Sequence, residues 1–126
     1  MFAHFLAVAA GGAIGAGGRF LVNVYALRTF GPGFPWGTFT VNVAGALAMG
    51  FLGHWLVARA GVSTEVRLFV LTGILGGFTT FSAYTLDVVS LAERGETVSA
   101  ALYAAGTVIV TIIALIAGQS LARAIG

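Results

Sequence analysis

The chain has 126 residues, of which 59% are hydrophobic and only 8% charged, with a mean hydropathy of +1.02. A soluble domain of this size has no interior large enough for that much apolar surface, so the composition implies an integral membrane protein. The formal charge of +2 comes from scattered arginines, which argues against nucleic-acid binding, and the absence of cysteine excludes thiol chemistry.

A helix needs about 20 apolar residues to cross a bilayer, so the chain has room for four or five spans in one domain. Four spans are predicted, at roughly 5–26, 38–58, 66–91 and 98–122. The opening run lacks a basic start and is too long for a signal peptide, so it is expected to be retained as the first span. It carries Gly11, Gly12, Gly15, Gly17 and Gly18. Gly11 with Gly15, and Ala46 with Gly50 in the second span, are pairs of small residues four apart, which let helix backbones pack closely within or between subunits. Arg19 follows Phe5 by about 14 residues, roughly 21 Å along a helix. That places it near the far interface, where it either pairs with Asp87 or lines an anion vestibule. His4 is expected at the near interface.

Arg28, Pro32, Gly33 and Pro35 mark the first turn. In the second span, Thr38, Asn42, Gly45 and Met49 share one helix face. An amide at membrane depth is costly without partners, so Asn42 should face the bundle interior. Ser63 or Thr64 is a candidate cap for the third span, which follows Arg59 and Gly61.

The chain is organised around the third span, from Gly73 to Tyr84. Gly73, Gly76 and Gly77, followed by Thr79, Thr80 and Ser82, weaken a helical ladder in hydrocarbon. Backbone freed there must be satisfied by protein, ion or water, and such breaks are where membrane proteins build ion sites. A kinked helix with glycine for close packing is the plainer alternative. Phe81 and Tyr84, three residues apart, lie on one side of the helix. Their ring edges are electropositive and suit an anion, although core packing is the commoner use of such a pair.

Glu93, Arg94, Gly95 and Glu96 form the last turn. In the fourth span, Tyr103, Thr107 and Thr111 are each four apart and form a hydroxyl stripe. Such a stripe can pass a hydrogen-bonding ion stepwise or tie helices together. No histidines or carboxylates are spaced as a metal or acid–base site, and Ser82 has no evident base, so an enzyme is not indicated. Three arginines (Arg59, Arg67, Arg123) fall at one end of the spans and two (Arg28, Arg94) at the other, or three with Arg19. The positive-inside rule then gives almost no preferred orientation, as expected for a chain that inserts both ways and pairs antiparallel, or for one oriented by a partner.

These residues resemble the CrcB/Fluc family of fluoride channels along the whole chain. Gly11-Gly12-x-x-Gly15-x-x-x-Arg19 is similar to the family's opening motif. Pro35-x-Gly37-Thr38-x-x-x-Asn42-x-x-Gly45 is similar to its second-helix motif. Gly76-Gly77-Phe78-Thr79-Thr80-Phe81-Ser82 is similar to its central signature. The resemblance implies an all-α subunit of four transmembrane helices, the third broken at its centre, forming an antiparallel, dual-topology homodimer with two pores. It implies passive, fluoride-selective export across the cell membrane. By the same resemblance Asn42 is the pore asparagine, Phe81 and Tyr84 form the aromatic box, and Tyr103, Thr107 and Thr111 form the polar track. Thr38, Thr80 and Ser82 join them as pathway candidates, and the carbonyls of Gly76 and Thr79 are expected to hold a structural sodium ion. Two departures stand out. Ser82-Ala83-Tyr84 replaces the commoner Ser-Thr-Phe, giving the second box ring a hydroxyl able to donate to the ion, and Asp87 stands where glutamate is frequent.

The expected partners are fluoride, membrane lipid and a second copy of the chain, with no nucleic acid. A competing reading is a proton-coupled exporter like the small multidrug resistance proteins. It needs a membrane-embedded carboxylate, and only Asp87, near a span end, is available. A structural subunit without transport would explain the glycines but not the collected Asn, Thr and Tyr groups.

Overall fold

The computed structural model describes residues 1–126. Four helical spans are present, each long and apolar enough to cross a membrane. Helix α1 (Phe2–Phe30) is followed by α2 (Trp36–Ala58). The third span opens with a short α3 (Thr64–Arg67), passes into a π-helical segment (Leu68–Leu75), and regains α geometry in α4 (Gly76–Phe78). It breaks at Thr79 and Thr80, then resumes as α5 (Phe81–Glu93), and α6 (Thr97–Ile125) completes the chain. Each helix overruns its predicted limits by a few residues, because the hydropathy signal fades before the backbone ladder does.

The turns are tight. Gly31, Gly61 and Gly95 have φ of 76°, 91° and 81°, in the left-handed region that glycine enters at little steric cost. At Gly95 the Glu96 N–H reaches back to the Leu91 carbonyl at 2.9 Å, a Schellman-type closure. Ser63, one of the two candidate caps, accepts from the Val66 N–H at 3.2 Å.

The break falls later than the glycines suggested. Gly73 lies in the π segment, while Gly76 and Gly77 stay helical. Thr79 and Thr80 leave the helix, with extended φ/ψ of −86°/157° and −152°/122°. The glycines serve packing instead. A Cβ on Gly11 would run into the Phe69 carbonyl, one on Gly15 into the Ile74 carbonyl, and one on Gly77 would lie 2.6 Å from the Gly12 carbonyl. The Gly11–Gly15 pair therefore joins two helices of the same subunit. Similarly, Gly50 is pressed to the Leu115 carbonyl and Gly118 to the Leu47 carbonyl. The first half of the third span thus packs on α1, while α2 and α6 run parallel along their length and α5 packs on α6.

Only 18 of the 126 residues are buried, as expected for a small bundle whose outer faces meet lipid. The interior cluster of Tyr84, Leu91, Ala100 and Tyr103 sits between α5 and α6, with Phe34, Phe39 and Val88 against it.

Candidate functional site

Asn42 is the hinge of the site. Its Nδ2 donates to the Thr80 carbonyl at 3.0 Å, and its Oδ1 accepts from the Thr80 N–H at 2.8 Å. The side-chain amide thus pairs with the broken backbone much as a neighbouring strand would, satisfying both polar groups of Thr80 where water is scarce. One amide N–H remains free. Thr80 also caps α5, its Oγ1 accepting from the Ala83 N–H at 3.2 Å.

In an unbroken helix the Thr80 and Ala83 N–H groups would bond the carbonyls of Gly76 and Thr79. Both are turned elsewhere, so the two carbonyls predicted as cation ligands lose their helical donors. The intervening Gly77 carbonyl takes the Arg19 Nε at 3.1 Å. Arg19 therefore turns toward the break, and no ion pair joins it to Asp87. Thr79 folds its Oγ1 back onto the Leu75 carbonyl at 2.9 Å and seats its methyl in the space left by Gly45.

A cavity of about 300 Å³ gathers most of the predicted pathway. Asn42, Thr80, Phe81, Tyr84, Thr107 and Thr111 all line it, as does Thr79. The Phe81 and Tyr84 ring centroids are 5.3 Å apart. Tyr84 is buried, while Phe81 is 74% exposed on the single subunit. Thr38 lines a separate cavity of about 370 Å³ at the Trp36 end, together with Asn23, Asp87 and Arg94. Ser82 lines neither cavity; its hydroxyl lies 3.3 Å from Thr80 Oγ1. Arg19 lines neither cavity.

The hydroxyls differ in availability. Tyr84 donates to the Ala104 carbonyl at 2.6 Å, so this hydroxyl is engaged with α6 and only the ring faces the cavity. Tyr103 donates to Asp87 at 3.1 Å, and Thr111 donates to the Thr107 carbonyl at 2.7 Å. Thr107 is 4% exposed, and its Oγ1 is the one buried side-chain polar atom without a hydrogen-bond partner.

An aromatic chain buttresses this geometry. Trp36 and Phe34 have ring centroids 4.7 Å apart, Phe34 meets Tyr103 edge-on at 5.4 Å, and Tyr103 contacts Tyr84 at 5.4 Å. Phe34 was not foreseen as part of the site. Its position in a Pro- and Gly-marked turn gave no sign that the turn folds over the bundle end. The Asn42–Thr80 pairing was also unforeseen, since two residues 38 apart in sequence give no periodic signal.

The fold and cavity define a multi-pass membrane protein with a hydrogen-bonding interior at a broken helix. The chain belongs to the CrcB family: the family described as CrcB-like protein, Camphor Resistance (CrcB), matches residues 6–119. The fluoride-specific ion channel FluC of Mesorhizobium japonicum is 54% identical over 122 residues, covering 97% of this chain and 98% of the relative. The FluC proteins of Hyphomonas neptunium and Rhizobium meliloti are 52% and 46% identical, covering 96% of this chain in each case and 96% and 97% of the relatives.

Proposed function

We propose that this chain is a fluoride-selective channel of the cell membrane, lowering cytoplasmic fluoride by passive export. The observation that carries the reading is a buried, unpartnered hydroxyl on Thr107, a residue lining the cavity shared with Asn42, Phe81 and Tyr84. Buried polar atoms are nearly always paired, so a free donor at this depth points to a transient partner. Fluoride is small and strongly hydrated, and a pore must replace its water with donors. The Thr107 hydroxyl and the free Asn42 N–H donate, while the rings of Phe81 and Tyr84 offer electropositive edges. None of these carries a fixed charge that would trap the ion.

The working unit is an antiparallel homodimer of chains inserted in both orientations. Supporting this are the arginine counts, three (Arg59, Arg67, Arg123) against two (Arg28, Arg94) with Arg19 turned inward, and the exposed Phe81 that a second copy would cover. Between the subunits, the carbonyls of Gly76 and Thr79 hold a structural sodium ion that is not transported. Neutral main-chain oxygens suit a hard monovalent cation, and no cluster of His, Asp or Glu offers a competing site.

The test is fluoride efflux from proteoliposomes, followed with a fluoride electrode. Fluoride should leave rapidly with chloride largely retained; absent fluoride flux or comparable chloride flux would overturn the reading. A C-terminal tag should be reachable from both membrane faces, and a single orientation would contradict the antiparallel dimer. A Cβ on Gly76 has only the Leu71 carbonyl near it, at 3.9 Å. Gly76→Val should therefore leave the subunit folded while removing sodium-dependent flux, whereas Thr79→Ser should keep it. Flux unchanged when sodium is replaced by a large organic cation would eliminate the ion. The exporter reading is weaker, because Asp87 is engaged by Tyr103 near the Trp36 end.

A further inference from the structure

The faces of α2 and α6 that line the central cavity continue beyond it. Asn42, Ala46 and Met49 line that cavity from α2, and the same helix face continues one turn on to Gly53. On α6, Thr107, Thr111 and Leu115 line it, and the same four-residue step leads to Gln119. Gly53 and Gln119, with His54, Val57 and Ala58, enclose a separate cavity of about 420 Å³ at the Ala58 end. The two parallel helices thus carry a second cavity further along the same faces, beyond the close Gly50–Leu115 and Gly118–Leu47 packing.

Two side chains define the chemistry of this chamber. His54 and Gln119 line it, both are half-buried, and neither side chain makes a hydrogen bond within the protein. A neutral imidazole offers one N–H and a glutamine amide two. No charged residue lines the chamber. The nearest cation in sequence, Arg59, lies over the Trp55 ring with its Cζ 4.0 Å from the centroid, and Glu65 is paired with His4 at 3.1 Å. The chamber is therefore a donor-bearing pocket without an internal partner for its donors.

The geometry points to a fluoride-binding position held by His54 and Gln119, where the ion rests between bulk water and the central cavity. This proposal rests on the channel reading above. It assigns the Ala58-end mouth to two residues that the central signature does not include. Removing water from fluoride in two stages, first against His54 and Gln119 and then against Asn42 and Thr107, divides one large dehydration step into two smaller ones.

The experiment measures fluoride efflux as a function of fluoride concentration for wild type, His54→Leu, Gln119→Leu and the double variant. Loss of one donor should raise the half-saturating concentration roughly three- to tenfold, with chloride exclusion intact. His54→Gln, which keeps an N–H donor, should restore most of the wild-type value. A merely structural role would alter dimer yield but not this concentration dependence or its rescue.

The cysteine-free sequence supplies a second measurement if the leucine variants assemble poorly. His54→Cys and Gln119→Cys each present a single thiol, and fluoride should slow its modification by a small water-soluble reagent. Unchanged half-saturation in the double variant overturns the proposal, as does thiol modification indifferent to fluoride. Wild-type protein without any fluoride flux would instead refute the channel reading itself.

Discussion

The two halves of the third span are built on opposite principles. Before the break, residues 69–78 lie close against α1, with Gly11, Gly15 and Gly77 letting the two backbones meet. After the break, α5 meets α6 through aromatic rings and hydroxyls, including the Tyr84–Ala104 and Tyr103–Asp87 bonds. The first half has no room for an ion. The second half, facing α2 and α6, leaves a cavity lined by donors. One continuous span thus acts as anchor on one side of Thr79 and as cavity wall on the other.

The sharpest way to break this division is at the joint between the halves. Asn42→Asp keeps an acceptor for the Thr80 N–H but sets a carboxylate oxygen against the Thr80 carbonyl and a negative charge in an anion path. Fluoride flux should fall at least ~100-fold, equivalent to about 3 kcal/mol. Near-normal flux from folded Asn42→Asp dimers would remove this amide from the pathway.

The anchoring half should fail through stability. Gly15→Ala would drive a methyl into the Ile74 carbonyl and should cost about 1–3 kcal/mol, seen as a lower unfolding temperature and reduced dimer yield. Gly76→Ala, with nothing closer than the Leu71 carbonyl at 3.9 Å, should change subunit stability by less than about 0.5 kcal/mol. Equal losses from both changes would mean that close packing is not what distinguishes the α1 contact.

The cavity wall should fail through function alone. Thr107→Val removes a buried hydroxyl that has no protein partner, so stability should hold or rise slightly. Flux should drop roughly tenfold, the value of about one good hydrogen bond to the ion. A loss of stability with unchanged flux would reassign Thr107 to helix packing. The smallest effect is expected at Tyr84→Phe. It leaves the ring in place and loses the bond to the Ala104 carbonyl, worth about 1 kcal/mol, so flux should change less than roughly threefold.

Much of this arrangement is legible in the sequence. Apolar runs locate the four spans, because bilayer thickness fixes their length. The cluster of Gly, Thr and Ser at 73–82 marks the broken helix, and helical spacing puts Asn42 on an interior face. Which hydroxyls are free is not legible. Tyr103, Thr107 and Thr111 look equivalent at four-residue spacing, yet two of them find acceptors at Asp87 and at a backbone carbonyl. Asp87 reaches Tyr103 only once α5 and α6 are packed, whereas Thr111 turns back onto a carbonyl of its own helix. Arg19 misleads for a related reason. Its distance along the helix suggests an interface, but a guanidinium on a long stem is drawn to an orphaned carbonyl at the break.

The π-helical stretch Leu68–Leu75 has a consequence for how this span tolerates changes in length. Deleting a residue from an α-helix turns everything downstream by about 100°, which here would swing Phe81 and Tyr84 away from the cavity. A π turn already contains a residue more than the α turn it replaces. Losing one residue between 68 and 75 can therefore revert a wide turn to an ordinary one, with the flanking faces left in phase. The segment is a register buffer against deletion, placed upstream of the break where losing a residue would otherwise rotate the cavity wall out of line.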